Sequence, residues 1–151
     1  MTIQTEVKPE ASFFSLESPL LAQGRLDNIV ARTPLMKITV KVYASGGENA
    51  LHKHLNEDHS FIVLQGEATF HIGEEDTVKV LTKYEGVMLP RNVLYWFQSS
   101  APENLVMLRV GAAEKWSADG RAFPDGTPFA GNSPENKQTE VIPLPGQFFR
   151  P

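Results

Sequence analysis

Apolar and polar residues alternate with a period of two through the middle of the chain. Met36, Ile38, Val40 and Val42 alternate with Lys37, Thr39, Lys41 and Tyr43, the pattern of a strand with one face buried. Ala68, Phe70 and Ile72 alternate with Glu67, Thr69 and His71. Gly73-Glu74-Glu75-Asp76 then reads as a turn into Thr77–Leu81, so this stretch predicts a hairpin. Short apolar segments follow at Val87–Leu89, Leu94–Gln98 and Leu105–Val110, separated by Pro90-Arg91-Asn92 and Ser99–Asn104. Many short strands divided by turns predict an all-β antiparallel sandwich or barrel. No long helical period is present, and Ala112–Asp119 has room for at most one short helix.

The two ends have another character. Residues 1–30 read as an N-terminal arm, with Phe13, Phe14, Leu16 and Leu20 set among polar residues; residues 31–112 read as the barrel. Residues 113–151 form a tail rich in Pro, Gly and Asn from Pro124 onward. Proline fixes φ and removes a donor, so this tail should run extended rather than join a central strand. It serves as a strap over the barrel or a partner subunit, or it brings Phe123, Phe129 or Phe148 to the mouth of a site.

Composition narrows the function. At 151 residues the chain is one domain by length. The absence of cysteine excludes disulfides, thiolate zinc sites and a cysteine nucleophile, and fits a reducing compartment. A formal charge of −4 with no Lys/Arg cluster argues against nucleic acid as a partner. No apolar run reaches the length of a membrane span. The first residues lack the basic start and apolar stretch of a signal peptide, so a cytoplasmic location is expected.

The chemistry concentrates in Gly46–Gly66, GGENALHKHLNEDHSFIVLQG. His52 and His54 are two apart, so on a strand both side chains leave one face, about 7 Å apart along the chain. Asn56-Glu57-Asp58 is turn chemistry, and a chain reversing there lays His59 beside the first pair. Three imidazoles on one face form an incomplete metal shell with room for water or substrate. Parity favours His59 as the third ligand, because it shares a face with Phe61 and Val63. A bulge at the turn would instead deliver Asp58. His71 alternates with apolar neighbours and reads as outward and structural. Phe61, Val63, Gln65 and Phe97 are the expected pocket residues around the open positions.

The segment resembles the first motif of the cupin superfamily, in which a Gly and five residues precede H-x-H, a gap of three or four residues leads to Glu, and a Gly follows six residues on. Gly46, His52, His54 and Gly66 match it, and with the four-residue gap His59 takes the Glu position. Gly86–Ser99 resembles the second motif less closely. Pro90 holds its place, Asn92 stands for a Gly (and Asn tolerates left-handed backbone), Tyr95 stands for the histidine ligand and Ser99 for the Asn. The resemblance covers roughly residues 40–110. It implies an antiparallel β-barrel of cupin or jelly-roll type and a homodimer. It also implies one divalent transition metal, with Fe²⁺ favoured and Zn²⁺, Ni²⁺ or Mn²⁺ as the other choices.

On that resemblance the expected function is a non-haem iron dioxygenase acting on a small organic substrate at a three-histidine centre. Tyr95 would be the catalytic residue, donating to a metal-bound water or substrate oxygen, with ligation of the metal or plain core packing as its other roles. A redox-neutral metal-dependent isomerase, lyase or cyclase is the alternative, and a non-catalytic small-molecule-binding cupin is the third reading.

Overall fold

The computed structural model describes residues 8–44, 49–117 and 120–151; Gly46 of the first motif lies outside the described residues. Its strands are β1 (Ser18–Gln23), β2 (Arg25–Arg32), β3 (Met36–Tyr43), β4 (Lys53–His54), β5 (Asp58–Gln65), β6 (Ala68–Ile72), β7 (Thr77–Leu81), β8 (Gly86–Leu89), β9 (Tyr95–Ser99), β10 (Leu105–Ala112), β11 (Arg121–Ala122) and β12 (Ile142–Phe149). A 3-10 turn at Pro134–Asn136 is the one helical element among the described residues. The short helix allowed near 112–119 does not form in its described part, residues 112–117.

Five antiparallel strands make the large sheet, in the order β2-β3-β10-β5-β8. Its outer strand β2 comes from residues that the sequence reads as arm. Facing it is β7-β6-β9, in which Ala68–Ile72 pairs with Thr77–Leu81 around a four-residue turn. A bridge between His52 and Tyr95 carries this smaller sheet on to β4 and β11. Between the sheets lie Tyr43, Phe61, Val63, Phe70, Phe97, Leu105 and Met107, all buried.

A second core lies outside the large sheet. β1 and β12 pair as an antiparallel ribbon, and Leu21 and Phe149 from it cover Val40, Val42 and Val106. The end of the tail thus lies over the outer face as one strand of this ribbon.

This ribbon changes the meaning of the alternation in β3. The apolar row Val40 and Val42 is buried against the ribbon, on the outside. The polar row Lys37, Thr39 and Lys41 faces the space between the sheets, ending in the buried Tyr43. Lys41 is tolerated there because it finds a partner: its Nζ is 2.9 Å from Asp27 Oδ1 on the neighbouring strand. The interior is therefore apolar at one end and polar at the other, and the polar end is the site. Among the described residues no helix is long and apolar enough to cross a membrane.

Candidate metal centre

Local geometry brings the histidines together. The H-x-H pair enters through the bridge to β9, where His52 N–H donates to Tyr95 O (3.1 Å) and Tyr95 N–H donates to His52 O (2.9 Å). His52 and His54 project from one face with ring centroids 5.4 Å apart. The chain then reverses over residues 55–57, where Leu55 N–H donates to Gly120 O. His59 enters on β5 with its ring 4.5 Å from that of His54. Tyr95 opens β9 from the other side. The turn before it passes through Asn92 at φ 71°, the left-handed conformation anticipated for the residue that replaces glycine.

The tyrosine hydroxyl sits between two imidazoles, 3.0 Å from His59 Nε2 and 3.3 Å from His54 Nε2. Burial pushes the Tyr95 phenol well above its ordinary value, so it is a neutral O–H. Burial also lowers all three histidines: His52 to about 3, His59 to about 2 with Arg109 adding to the effect, and His54 in the same direction. The imidazoles are neutral at pH 7, the form in which they ligate metals.

Glu57 completes the cluster. Its Oε2 is 3.4 Å from His54 Nδ1 and its Oε1 is 2.6 Å from Arg109 Nη2. Burial pushes the Glu57 carboxyl up, but His54 and Arg109 outweigh that and hold it below the usual carboxylate range. An ionised carboxylate only accepts, so the His54 proton belongs on Nδ1. His54 Nε2 then accepts from the Tyr95 hydroxyl, and the tyrosine oxygen accepts from His59 Nε2–H. That order leaves His59 Nδ1 a bare, buried nitrogen without a hydrogen-bond partner. Unpaired buried polar atoms are uncommon and call for an explanation.

His54, Glu57 and His59 each offer one ligand atom within 4.8 Å of the others. Two neutral imidazoles, one of them with an orphaned ring nitrogen, and one carboxylate fit a divalent cation. The group could hold a metal ion. His52 lies outside this convergent set. Its Nδ1–H donates to Ala50 O (2.7 Å), which fixes its tautomer, and its ring packs against Tyr95 and Phe129.

The centre opens into a cavity of about 540 Å³. Phe61 and Phe97 line it, with His52, His54 and Tyr95. Val63 is buried in the core below the cavity floor. Gln65 is at the far end of β5, where a register shift follows Val63 and its side-chain amide donates to Asn104 O (3.1 Å). The bulge explains why parity misplaced it. Asp58 faces outward and accepts from Arg91 N–H (2.8 Å) and Nε–H (3.3 Å). His71 is outward too, bonded to Asp76 and stacked on Trp96.

Glu57 and Arg109 escaped the sequence reading. Glu57 lies in the turn before β5, where strand parity says nothing. Arg109 did leave a signal, as the one charged residue in the apolar strand Leu105–Ala112. A charge on a strand buried between two others needs a partner, and that partner is Glu57.

No family model matches the chain, and no curated protein matches it. Solved structures do. An uncharacterized conserved protein with a double-stranded beta-helix domain from Klebsiella pneumoniae is 22% identical, with 75% of this chain and 96% of that one covered at a TM-score of 0.60. The cupin domain of Cnp3 from Schizosaccharomyces pombe is 19% identical over 62% of this chain and 67% of that one, with a TM-score of 0.55. A cupin superfamily protein from Desulfitobacterium hafniense is 19% identical over 59% and 77%, with a TM-score of 0.50. With its two facing antiparallel sheets, this chain shares the fold of these cupin and double-stranded beta-helix domains.

Proposed function

We propose that this chain is a metal-dependent cupin enzyme of the non-haem oxygenase type. It holds one divalent transition metal, iron favoured, at His54, Glu57 and His59, and acts on a small organic substrate in the adjoining cavity. The observation that carries this reading is the convergence of two imidazoles and one carboxylate beside that cavity, the donor set of non-haem iron oxygenases. An ion bound there supplies Lewis acidity and, as iron, the electrons for dioxygen chemistry.

The protein's own residues do the rest. Arg109 anchors Glu57 at 2.6 Å and keeps it ionised. Burial keeps the imidazoles deprotonated, so binding a cation displaces no proton from them near neutral pH. Tyr95 Oη, within reach of both ring nitrogens, is placed to pass a proton to or from an oxygen atom at the centre. Phe61 and Phe97 exclude water from one wall of the cavity.

Metal analysis of the purified protein beside His59→Ala, Glu57→Gln and Tyr95→Phe tests this. Wild type and Tyr95→Phe should carry near-stoichiometric metal, and the two ligand variants should lose it. After anaerobic Fe²⁺ loading, substrate-dependent O₂ uptake should fall by about 10²–10⁴ in Tyr95→Phe. A wild type that takes up none of Fe²⁺, Zn²⁺, Ni²⁺ or Mn²⁺ would move the reading to a non-catalytic binding barrel. One feature favours a redox-neutral isomerase, lyase or cyclase instead: a neutral phenol bridging two neutral imidazoles is acid–base equipment. Full turnover without oxygen would select it.

A further inference from the structure

The cavity beside the centre is more cationic than a hydrocarbon substrate requires. Arg25, Lys37, Lys41, Arg109 and Arg121 line it against the single carboxylate of Asp27. Three of these cations are already engaged. Asp27 holds Lys41 at 2.9 Å, Glu57 holds Arg109 at 2.6 Å, and the Lys37 ammonium lies 4.1 Å over the Trp116 ring. Arg25 donates to Asn49.

Arg121 differs from these in position and in partners. It is the cross-strand partner of His54 in the β4–β11 pair, so the two side chains leave the same face of the ribbon, and both line the cavity. Its Nη1 donates to Asn136 Oδ1 (3.2 Å), and its guanidinium lies 4.5 Å over the Phe129 ring. Asn136 is buried, and its Nδ2 donates to Gly131 O (2.6 Å), which aims its oxygen at the guanidinium. Both partners are neutral. Among the described residues, none forms an ion pair with Arg121. The guanidinium is thus held rigidly, partly desolvated (burial lowers its pKa) and uncompensated, next to a metal-ready imidazole.

We propose that Arg121 is an anion clamp and that the substrate of this cavity is a small organic carboxylate, bound through that clamp with its reactive end toward His54. A planar fork matches a carboxylate with two parallel hydrogen bonds. The aromatic wall of Phe61 and Phe97 suits the carbon skeleton of an organic acid rather than bare phosphate. The role of this carboxylate as substrate rests on the metal-enzyme reading; its binding to Arg121 does not.

Calorimetric titration of the full chain after chelator treatment separates the two. Malonate is the probe, with its neutral isostere malonamide and inorganic phosphate as comparisons. Malonate should bind, malonamide should not, and phosphate should bind more weakly than malonate. Arg121→Gln should weaken malonate by about tenfold or more, the loss expected for a charge-assisted hydrogen bond. Arg121→Lys, which keeps the charge and loses the fork, should fall between them, and it carries the test if circular dichroism shows Arg121→Gln misfolded. Wild-type affinity in either Arg121 variant, equal binding of malonate and malonamide, absence of malonate binding, or phosphate binding without malonate would each overturn the clamp. A protein that binds malonate through Arg121 but takes up no metal would sink the enzyme reading alone.

Discussion

Gly111 shows how one absent side chain shapes the centre. It pairs across the sheet with His59, and a Cβ built on it would run into the Glu57 carboxylate and stand 3.3 Å from Arg109 Nη1. The glycine is therefore the space that Glu57 occupies beside its cation. Gly111→Ala should displace the carboxylate, because that is the movable partner, and weaken metal binding by about tenfold or more. Metal titration checks it, and in a Glu57→Gln background the same substitution should add nothing, since both remove one ligand. Gly66 has a different duty. It sits at φ 79°, and a Cβ there would come within 2.8 Å of Asn104 O, so the last glycine of the motif is a backbone requirement.

At the scale of elements, β3 is the strand whose two faces serve two cores. Its apolar residues bind the outer ribbon and its polar residues line the cavity. The Asp27–Lys41 pair ties β2 to β3 inside that cavity, with Lys41 largely buried and Asp27 half exposed. Lys41 holds the Asp27 carboxyl below its usual value against the effect of burial. A depressed acid contributes stability above its unfolded pKa, near 4, and loses it as pH falls through the lower folded value. Solvent at Asp27 screens the pair, so Asp27→Asn should cost about 1 kcal/mol at pH 7. Urea melts of the two proteins should converge as the pH falls below the unfolded pKa and through the lower folded value. A gap that persists there would mean the pair acts through packing rather than charge.

The molecule as a whole is three layers: the small sheet, the large sheet and the β1–β12 ribbon. The ribbon lies on the face away from the metal centre, so its contribution is stability and not chemistry. Phe149 is 7% exposed in the outer core. Phe149→Ala should lower stability by about 3 kcal/mol, the low end for a buried aromatic. Metal content should be unchanged. A urea melt and a metal assay on one preparation check both, and metal loss at native stability would contradict the separation of layers.

Much of this was legible in the chain because strand chemistry is local. The period of two marks β3 and β6, Gly73–Asp76 marks the hairpin turn, and H-x-H sends two rings from one face whatever surrounds it. The prolines near the end forbid a central strand, and Asn92 permits the left-handed turn before Tyr95. Which face of each strand looks inward is not local. Val40 and Val42 are apolar on either reading, and only the ribbon that covers them decides that they point out while Lys41 points in. Glu57 sits in a turn, so no periodicity aims it, and it joins the centre because Arg109, fifty-two positions on, faces it across the sheet. Arg121 meets His54 for the same reason. The sequence by itself determined the strands, the turns and the histidine pair, which depend on neighbours along the chain. Tertiary structure alone decided the carboxylate, the cations and the orientation of the cavity, because charges far apart in sequence must be brought together before burial makes them pair.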